Sequence, residues 1–437
     1  MAGGRAKGDM EEGSKLWSSQ LFFILVSVGY VVGFGEIWHM PTLFMRHGGV
    51  AFLFAYLVTL ASSSLWLVYL DMSAGQYLKT GPVNLFWHHV TPRLAGVGCA
   101  MAVISAIKVV TYQVLVAWAF YFLAHTALSI FRGEEQLTWE SCDALWTRNN
   151  CWSSGNSGES GWLNRSSTYQ FFRWHLLEDP GHNLNDSSRT HLWQLRFPSD
   201  YTLAICLFSA WAITFFVVAN GLKWTARVVV FTATAPFPVL VALILRIALL
   251  DLDWDVVWWQ FVFPGGFLER LASRKTWLAA FHQSAFSLGR SNGTLIVLSM
   301  YSRRNNNIYK DAWLATMVDT LTGLLGTAVV ILMAAASHIE PEALSDAEGF
   351  DKLYLVFVSY AHGVARWSDS KFLYSILLFA GVGMLGIDCM FGWLENIYVA
   401  VRSVWYRKGE TNRVKREWIV FWLCLLFFVL GIPICFK

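Results

Sequence analysis

The chain has 437 residues, of which 55% are hydrophobic and 14% charged, with 23 Trp and 32 Phe. Soluble domains carry about 25% charged residues, so this composition excludes a disordered chain and argues against an ordinary cytosolic enzyme. A net charge of +3 leaves no nucleic-acid footprint, and seven cysteines over this length are no disulfide framework.

In chain order, a polar stretch of mixed charge (Arg5, Lys7, Asp9, Glu11, Glu12, Lys15) precedes the first apolar run and does not read as a cleavable leader. Nine runs long enough to cross about 30 Å of hydrocarbon follow. They cover about 20–45, 50–74, 96–128, 201–219, 226–250, 278–300, 311–337, 372–401 and 418–435. Only helices or closed barrels satisfy their backbone in lipid, and these runs are too long for barrel strands. The fold class is therefore an all-α polytopic membrane protein.

Lys and Arg in the short connections orient the chain. With a cytoplasmic N-terminus, the inside loops carry Lys79, Arg93, Lys223, Arg227, Arg303, Arg304, Lys310 and the Arg402–Arg416 cluster. The opposite side receives 131–200, 251–276 and 338–370. The first of these holds the sequons at Asn164 and Asn185 and the pair Cys142 and Cys151. Glycans and disulfides both belong to the lumenal or extracellular side, so three signals agree on one topology. Cys99, Cys206, Cys389, Cys424 and Cys435 read as packed thiols within spans.

Two spans are interrupted by glycine. The first contains Gly29-Tyr30-Val31-Val32-Gly33-Phe34-Gly35-Glu36 and then Pro41; the sixth contains Gly289-Arg290-Ser291-Asn292-Gly293. Each glycine lowers helix stability by about 1 kcal/mol relative to alanine. Backbone freed at membrane depth must line a polar cavity. One broken segment near the start of each half points to a secondary transporter built from inverted repeats. Glu36, Lys108, Arg290, Asp319 and Asp388 reinforce this, since an ionisable residue within a span belongs to a cavity and a partner. Carbonyl, hydroxyl and carboxylate oxygens there suit a hard cation beside a charged solute.

At these residues the chain resembles the neurotransmitter:sodium symporter family, solute carrier family 6. The matching stretches are Gly29 to Gly35 with Trp38 and Pro41, His47-Gly48-Gly49-Val50-Ala51-Phe52, Gly75-Gln76-Tyr77, Gly81-Pro82 and Trp139 ahead of Cys142 and Cys151. Later come Thr232-Ala233-Thr234-Ala235-Pro236, Phe286-Ser287-Leu288-Gly289, Asn305 to Ala312, Gly386-Ile387-Asp388 and Gly431-Ile432-Pro433. The resemblance implies an inverted-repeat fold with broken helices 1 and 6 and about nine of the usual twelve spans. Residues 1–19 would form a cytoplasmic tail. Spans 1–5, over 20–250, would form the first repeat with extracellular loop 131–200, and 251–437 an incomplete second repeat of spans 6–9.

The resemblance further implies sodium-coupled uptake of amino acids or their derivatives at the plasma membrane. One sodium would meet the Val31 carbonyl, Glu36, Ser287 and Asp319. A second would meet the Gly29, Val32 and Leu385 carbonyls, Asp388 and Cys389. Chloride, a candidate further ion, would meet Tyr69, Gln283 and Ser287. The solute would contact Gly33, Gly35, Lys108, Tyr112, Phe286 and Ser291. Gly33 stands where amine-transporting members carry aspartate, which favours an amino-acid-like solute.

The chain also departs from the family. Members have Asn at the positions of Glu36 and Asp319, a small apolar residue at Lys108, Ser or Thr at Cys389, and Arg-Phe at His39-Met40. Chloride-dependent members have Ser at Gly323, and the acidic cytoplasmic gate residue is Ser403 here. Two expectations stand side by side. In one, Glu36 and Asp319 alter the first cation site, and Lys108 or Arg290 replaces a sodium or protons couple instead. In the other, the chain is a non-transporting or truncated member, an assembly or trafficking partner of a full-length transporter, as a homo- or hetero-oligomer. No enzyme is expected: His88-His89 and His282 lack metal-ligand spacing, and Gly33-Phe34-Gly35 lacks the third glycine of a dinucleotide loop.

Overall fold

The computed structural model describes residues 16–17, 19–143, 147, 151–153, 166–177, 201–250, 252–290, 292–337, 351–367, 370–405 and 414–435. Those residues are almost wholly helical; they hold no strand, only an isolated bridge between Trp152 and Ser166.

Helix α1 (Gln20–Val31) opens on Ser19, whose hydroxyl accepts the Phe22 N–H at 3.3 Å. It stops at Val31, and α2 (Gly35–Arg46) restarts at an angle of 43°. The restart is a wide π turn over Gly35–His39, after which Pro41 sits within the first turn of Met40–Arg46. Chain reversal to α3 (Val50–Leu78) passes through Gly49 at φ 59°, where any Cβ would run into the Val262 carbonyl. Then come α4 (Pro92–Arg132), ended by Gly133 at φ 69°, α5 (Thr202–Ala219) and α6 (Leu222–Ala248).

The sixth expected span, 278–300, is two helices instead: α7 (Arg274–Ser287) and α8 (Thr294–Met300), of 14 and 7 residues. Gly289 and Gly293 lie between them at φ 60° and 74°, conformations in which an L side chain is strained. Neither piece crosses a bilayer alone. After them run α9 (Ile308–Ala336), α10 (Asp351–Ala365), α11 (Lys371–Trp405) and α12 (Arg416–Cys435). Among the described residues, seven helices have membrane-crossing length and apolarity, or eight when α1 and α2 count as one bent span. The expected outside segment 338–370 carries α10, which the hydropathy pattern had not signalled as a helix.

Helices α4 and α11 pack along their length through aromatic layers. Phe122 and Phe379 stack at 4.6 Å, and Trp118, Trp139, Phe171 and Phe172 surround them, all buried. Lipid is as apolar as these side chains, so cohesion here rests on close packing more than on removal from water. The Cys142–Cys151 disulfide is formed, while Asn164 and Asn185 fall outside the described residues. Cys206, Cys389, Cys424 and Cys435 are buried as expected, whereas Cys99 is exposed.

Candidate functional site

The break between α1 and α2 places Glu36 against α9. Gly323 and Gly326 let the two helices approach so closely that a Cβ at Gly323 would stand 2.7 Å from Glu36 Oε2, and one at Gly326 2.8 Å from the Glu36 carbonyl. Across this gap Asp319 faces Glu36, both fully buried. Ser287, the last residue of α7, donates its hydroxyl to Asp319 Oδ2. That spends the one hydroxyl proton between them. Both oxygens of Glu36 and Oδ1 of Asp319 are left without a hydrogen-bond donor among the described residues. Orphaned buried carboxylate oxygens cost about 1–3 kcal/mol each unless a cation or donor completes them. The set of Glu36, Asp319 and Ser287 therefore fits a hard cation.

A second cluster lies on the other side of the same break. Asp388 of α11 accepts from Thr232 at 2.5 Å through Oδ1, and Oδ2 has no donor among the described residues. A Cβ on Gly29 would approach that Oδ2 to 3.3 Å, and one on Gly33 would lie 2.5 Å from Cys389 Sγ and 4.0 Å from the Leu385 carbonyl. The Cys389 thiol donates to the Tyr30 carbonyl at 3.2 Å and, more weakly, to that of Val32 at 3.8 Å. The structure thus brings Gly29, Val32, Leu385, Asp388 and Cys389 together around the break. Sulfur is a soft donor, however, so a hard cation here would rest on the oxygens.

Between the clusters lies a small cavity of about 10 Å³ lined by Val31, Gly33, Gly35, Glu36, Tyr112, Phe286, Ser287, Cys389 and Trp393, among others. That is on the order of one water molecule. Gly35 is required for its shape, because a Cβ would meet Phe286 at 2.9 Å. Tyr112 stands edge-on to Trp393 at 4.7 Å. Lys108, one turn before Tyr112 on α4, holds its ammonium 5.1 Å from the Phe286 ring and 5.7 Å from the Trp393 ring. No hydrogen bond or ion pair to the Lys108 ammonium exists among the described residues.

The second break is stitched by polar contacts. Tyr30 donates to the Gly289 carbonyl at 3.3 Å while its hydroxyl accepts from Trp393 and from Asn292, each at 3.2 Å. Asn396 and Ser105 both donate to the Asn292 carbonyl, at 2.6 and 3.1 Å. Ser291 lies outside the described residues.

Other expected members fall elsewhere. Tyr69 points outward, 37% exposed and edge-on to Tyr309. The tyrosine that does reach Ser287, Glu36 and Asp319 is Tyr56, fully buried with its hydroxyl unpartnered. The two differ by 13 residues, about 220° around a helix, so only the helical wheel could have separated them. Gln283 is buried beside the site, but its Oε1 pairs with His39 Nδ1. Arg290 stacks on Phe281 at 5.2 Å and has Asp71 as its acidic neighbour, so it does not neutralise Glu36 or Asp319. Trp393, too, was missed from the sequence; it lies four residues after Cys389 on the same face of α11.

Comparison with known proteins follows the same line. A family profile described as the Sodium:neurotransmitter symporter family matches residues 14–437. The chain is 29% identical over 474 residues to a sodium- and chloride-dependent glycine transporter 2 of Xenopus laevis, covering 98% of this chain and 56% of that protein. It is 30% identical over 431 residues to a sodium-dependent serotonin transporter of Drosophila melanogaster, covering 97% and 64%. The chain thus spans a little over half to two thirds of the length of these relatives. Among solved structures, MhsT in complex with L-phenylalanine superposes with a TM-score of 0.73 at 19% identity, covering 96% of this chain and 80% of that one. That likeness is one of fold.

Proposed function

The chain belongs to the Sodium:neurotransmitter symporter family, and from that premise we propose that it is a secondary active transporter, not an enzyme, which couples uptake of an amino acid or amino-acid derivative to sodium. The setting is the plasma membrane with the N-terminus in the cytoplasm. The observation that carries this reading is the set of buried carboxylate oxygens without donors around the α1–α2 break, on Glu36, Asp319 and Asp388.

Sodium, as co-transported cargo, would take the oxygens of Glu36, Asp319 and Ser287 at one position. At the other it would take Asp388 with the carbonyls of Gly29, Val32 and Leu385. The first ion would tie α2, α7 and α9 together through Glu36, Ser287 and Asp319, and the second would tie α1 to α11 through the Gly29 carbonyl and Asp388. Solute would enter beside Gly33 and Gly35, where freed backbone polar groups are available, and against Tyr112 and Phe286. Release would follow when loss of the cations frees the broken segments to rearrange. With Tyr56, Gln283 and Ser287 close by, chloride would find hydroxyl and amide donors beside the first cation. Two neighbouring carboxylates would oppose that anion, so we infer a weaker chloride dependence than sodium dependence.

The test is uptake of a panel of radiolabelled amino acids into cells whose surface expression is verified, in sodium, in choline and at pH 5.5. Accumulation in sodium that is lost in choline supports the reading; none under any condition rejects it. One observation favours a second reading, a non-transporting assembly partner: the cavity has room for about one water. Co-purification with a full-length family member, together with absent uptake, would establish it.

A further inference from the structure

The positive charge beside the cavity has no acid of its own. Lys108 projects from α4 onto the faces of Phe286 and Trp393, at 5.1 and 5.7 Å from their centroids. The aromatic quadrupoles attract an ammonium there, which falls short of full replacement of its hydration. The buried acids nearest the cavity, of which Glu36 lines it, do not supply the difference. Asp319 is bound by Ser287, Asp388 by Thr232, and Glu36 lies against α9, with no ion pair from any of them to Lys108 among the described residues. Arg290, the other cation within the breaks, has Asp71. The surroundings of the cavity are therefore polarised, with carboxylate oxygens lacking donors among the described residues on the Glu36 side and the Lys108 ammonium over the rings of Phe286 and Trp393, which line it.

We propose that Lys108 is the anchor for an anionic group on the transported solute, so that this site selects an acidic amino acid over neutral ones. The inference rests on the transport reading above. The solute's ammonium and backbone end lies at the broken segment with Gly33, Gly35 and the acids, and its side-chain carboxylate meets Lys108 over the aromatic rings. A neutral aliphatic side chain in that position would leave the ammonium unpaired and displace the water that remains to it. Trp393, held through its indole N–H by Tyr30, and Tyr112, edge-on to it, fix the surface on which the lysine lies. The lysine stem is flexible, so it can swing off Phe286 to admit the solute.

The experiment uses the full chain purified in detergent and measures equilibrium binding of radiolabelled L-aspartate and L-leucine in sodium. It compares the wild type with Lys108→Met, which keeps the length of the side chain, and Lys108→Arg, which keeps the charge. Monodisperse elution and a sodium-dependent melting shift verify that each variant is folded. The wild type is expected to bind L-aspartate at least about ten-fold more tightly than L-leucine. Lys108→Met is expected to lose at least about ten-fold in aspartate affinity with leucine affinity equal or higher, and Lys108→Arg to keep the acidic preference. Methanesulfonate in place of chloride is expected to leave aspartate binding unchanged. If chloride removal weakens leucine binding in the wild type but not in Lys108→Met, the lysine serves inorganic chloride and the proposal is overturned. Aspartate binding that is indifferent to Lys108→Met overturns it equally. A folded wild type that binds leucine but not aspartate rejects the role of Lys108 and leaves the transport reading standing. One that binds neither ligand in sodium overturns the acidic selectivity, and the transport reading falls with it only if the uptake panel above is also empty.

Discussion

Glu36 and Asp319 face each other in a fully buried gap, and among the described residues only Ser287 donates a hydrogen bond to either. Two neighbouring carboxylates repel, and a cation between them turns the repulsion into coordination. A ligand that binds only the folded state stabilises it, by about 2.7 kcal/mol at a hundred times its dissociation constant. We therefore expect the melting midpoint of the purified protein to rise when choline is replaced by sodium. The double variant Glu36→Gln with Asp319→Asn should be the more stable protein in choline and should gain less from sodium. An equal sodium shift in both proteins would remove these acids from the cation site. His362 gives a separate pH signature on α10. It is buried beside Trp152 with neither ring nitrogen hydrogen-bonded, and burial and the nearby Arg366 push its imidazole down from 6.5 to about 3. Since the unfolded chain then binds the proton more readily, this contribution is whole above about pH 6.5 and shrinks as pH falls towards 3. By pH 5 about 2 kcal/mol of it has been lost. His362→Leu should flatten the loss of thermal stability between pH 6.5 and 5, and an unchanged slope would place the acid sensitivity elsewhere.

At the scale of single helices, the contact between α2 and α9 decides how deep the acids sit. Gly323 and Gly326 lie three residues apart on one face of α9, but their surroundings differ. A Cβ on Gly326 meets the backbone of Glu36 and Ile37 at 2.8 and 3.1 Å, whereas one on Gly323 meets the flexible Met40 side chain and Glu36 Oε2. Backbone cannot yield without moving the whole π turn over Gly35–His39. Gly326→Ala should accordingly cost about 1–3 kcal/mol as an overpacked contact, and Gly323→Ala distinctly less, read as melting midpoints in choline. Equal losses would mean that the gap between the helices is not tightly filled. These elements also mark how far the sequence could be read. Glycine spacing located both breaks, because the cost of glycine in a helix is local. It could not tell how far the second extends, since Gly289 and Gly293 leave the helix at positive φ, a property of backbone geometry rather than composition. Likewise Asp388 and Gly29 were legible as neighbours through the family pattern. That Arg290 turns to Asp71, and that Tyr56 rather than Tyr69 faces Ser287, depends on the rotation of α3, which no apolar run encodes when a helix is apolar all round.

Over the whole molecule, α11 is tied near both ends. Lys371 bonds Glu140 at 2.9 and 2.7 Å, and that same carboxylate accepts the Leu137 N–H at the loop leading to the Cys142–Cys151 disulfide. Toward the other end Glu395 forms a two-pronged pair with Arg416 of α12, which also donates to the Val218 carbonyl of α5 at 3.0 Å and lies 4.6 Å from the Tyr398 ring. The two ties are 24 residues apart (371 to 395), about 36 Å along a helix. A helix clamped at that distance and packed along α4 behaves as a pillar, so movement about the α1–α2 break is movement against it. Removing one member of a buried pair strands the other, at about 3–5 kcal/mol. Glu395→Gln is thus expected to lower the yield of monodisperse protein sharply, by releasing α12 from α11 and α5. Charge reversal in Glu395→Arg with Arg416→Glu should recover part of it, because the same two side chains can pair again while the Val218 carbonyl loses the guanidinium among its donors. A gate behaves otherwise: if the pair must open in each cycle, Glu395→Gln would leave stability near that of the wild type and change the rate of solute exchange. Melting and exchange measured on one preparation separate the pillar from the gate, and the burial of Glu395, whose side chain is only 4% exposed, argues for the pillar.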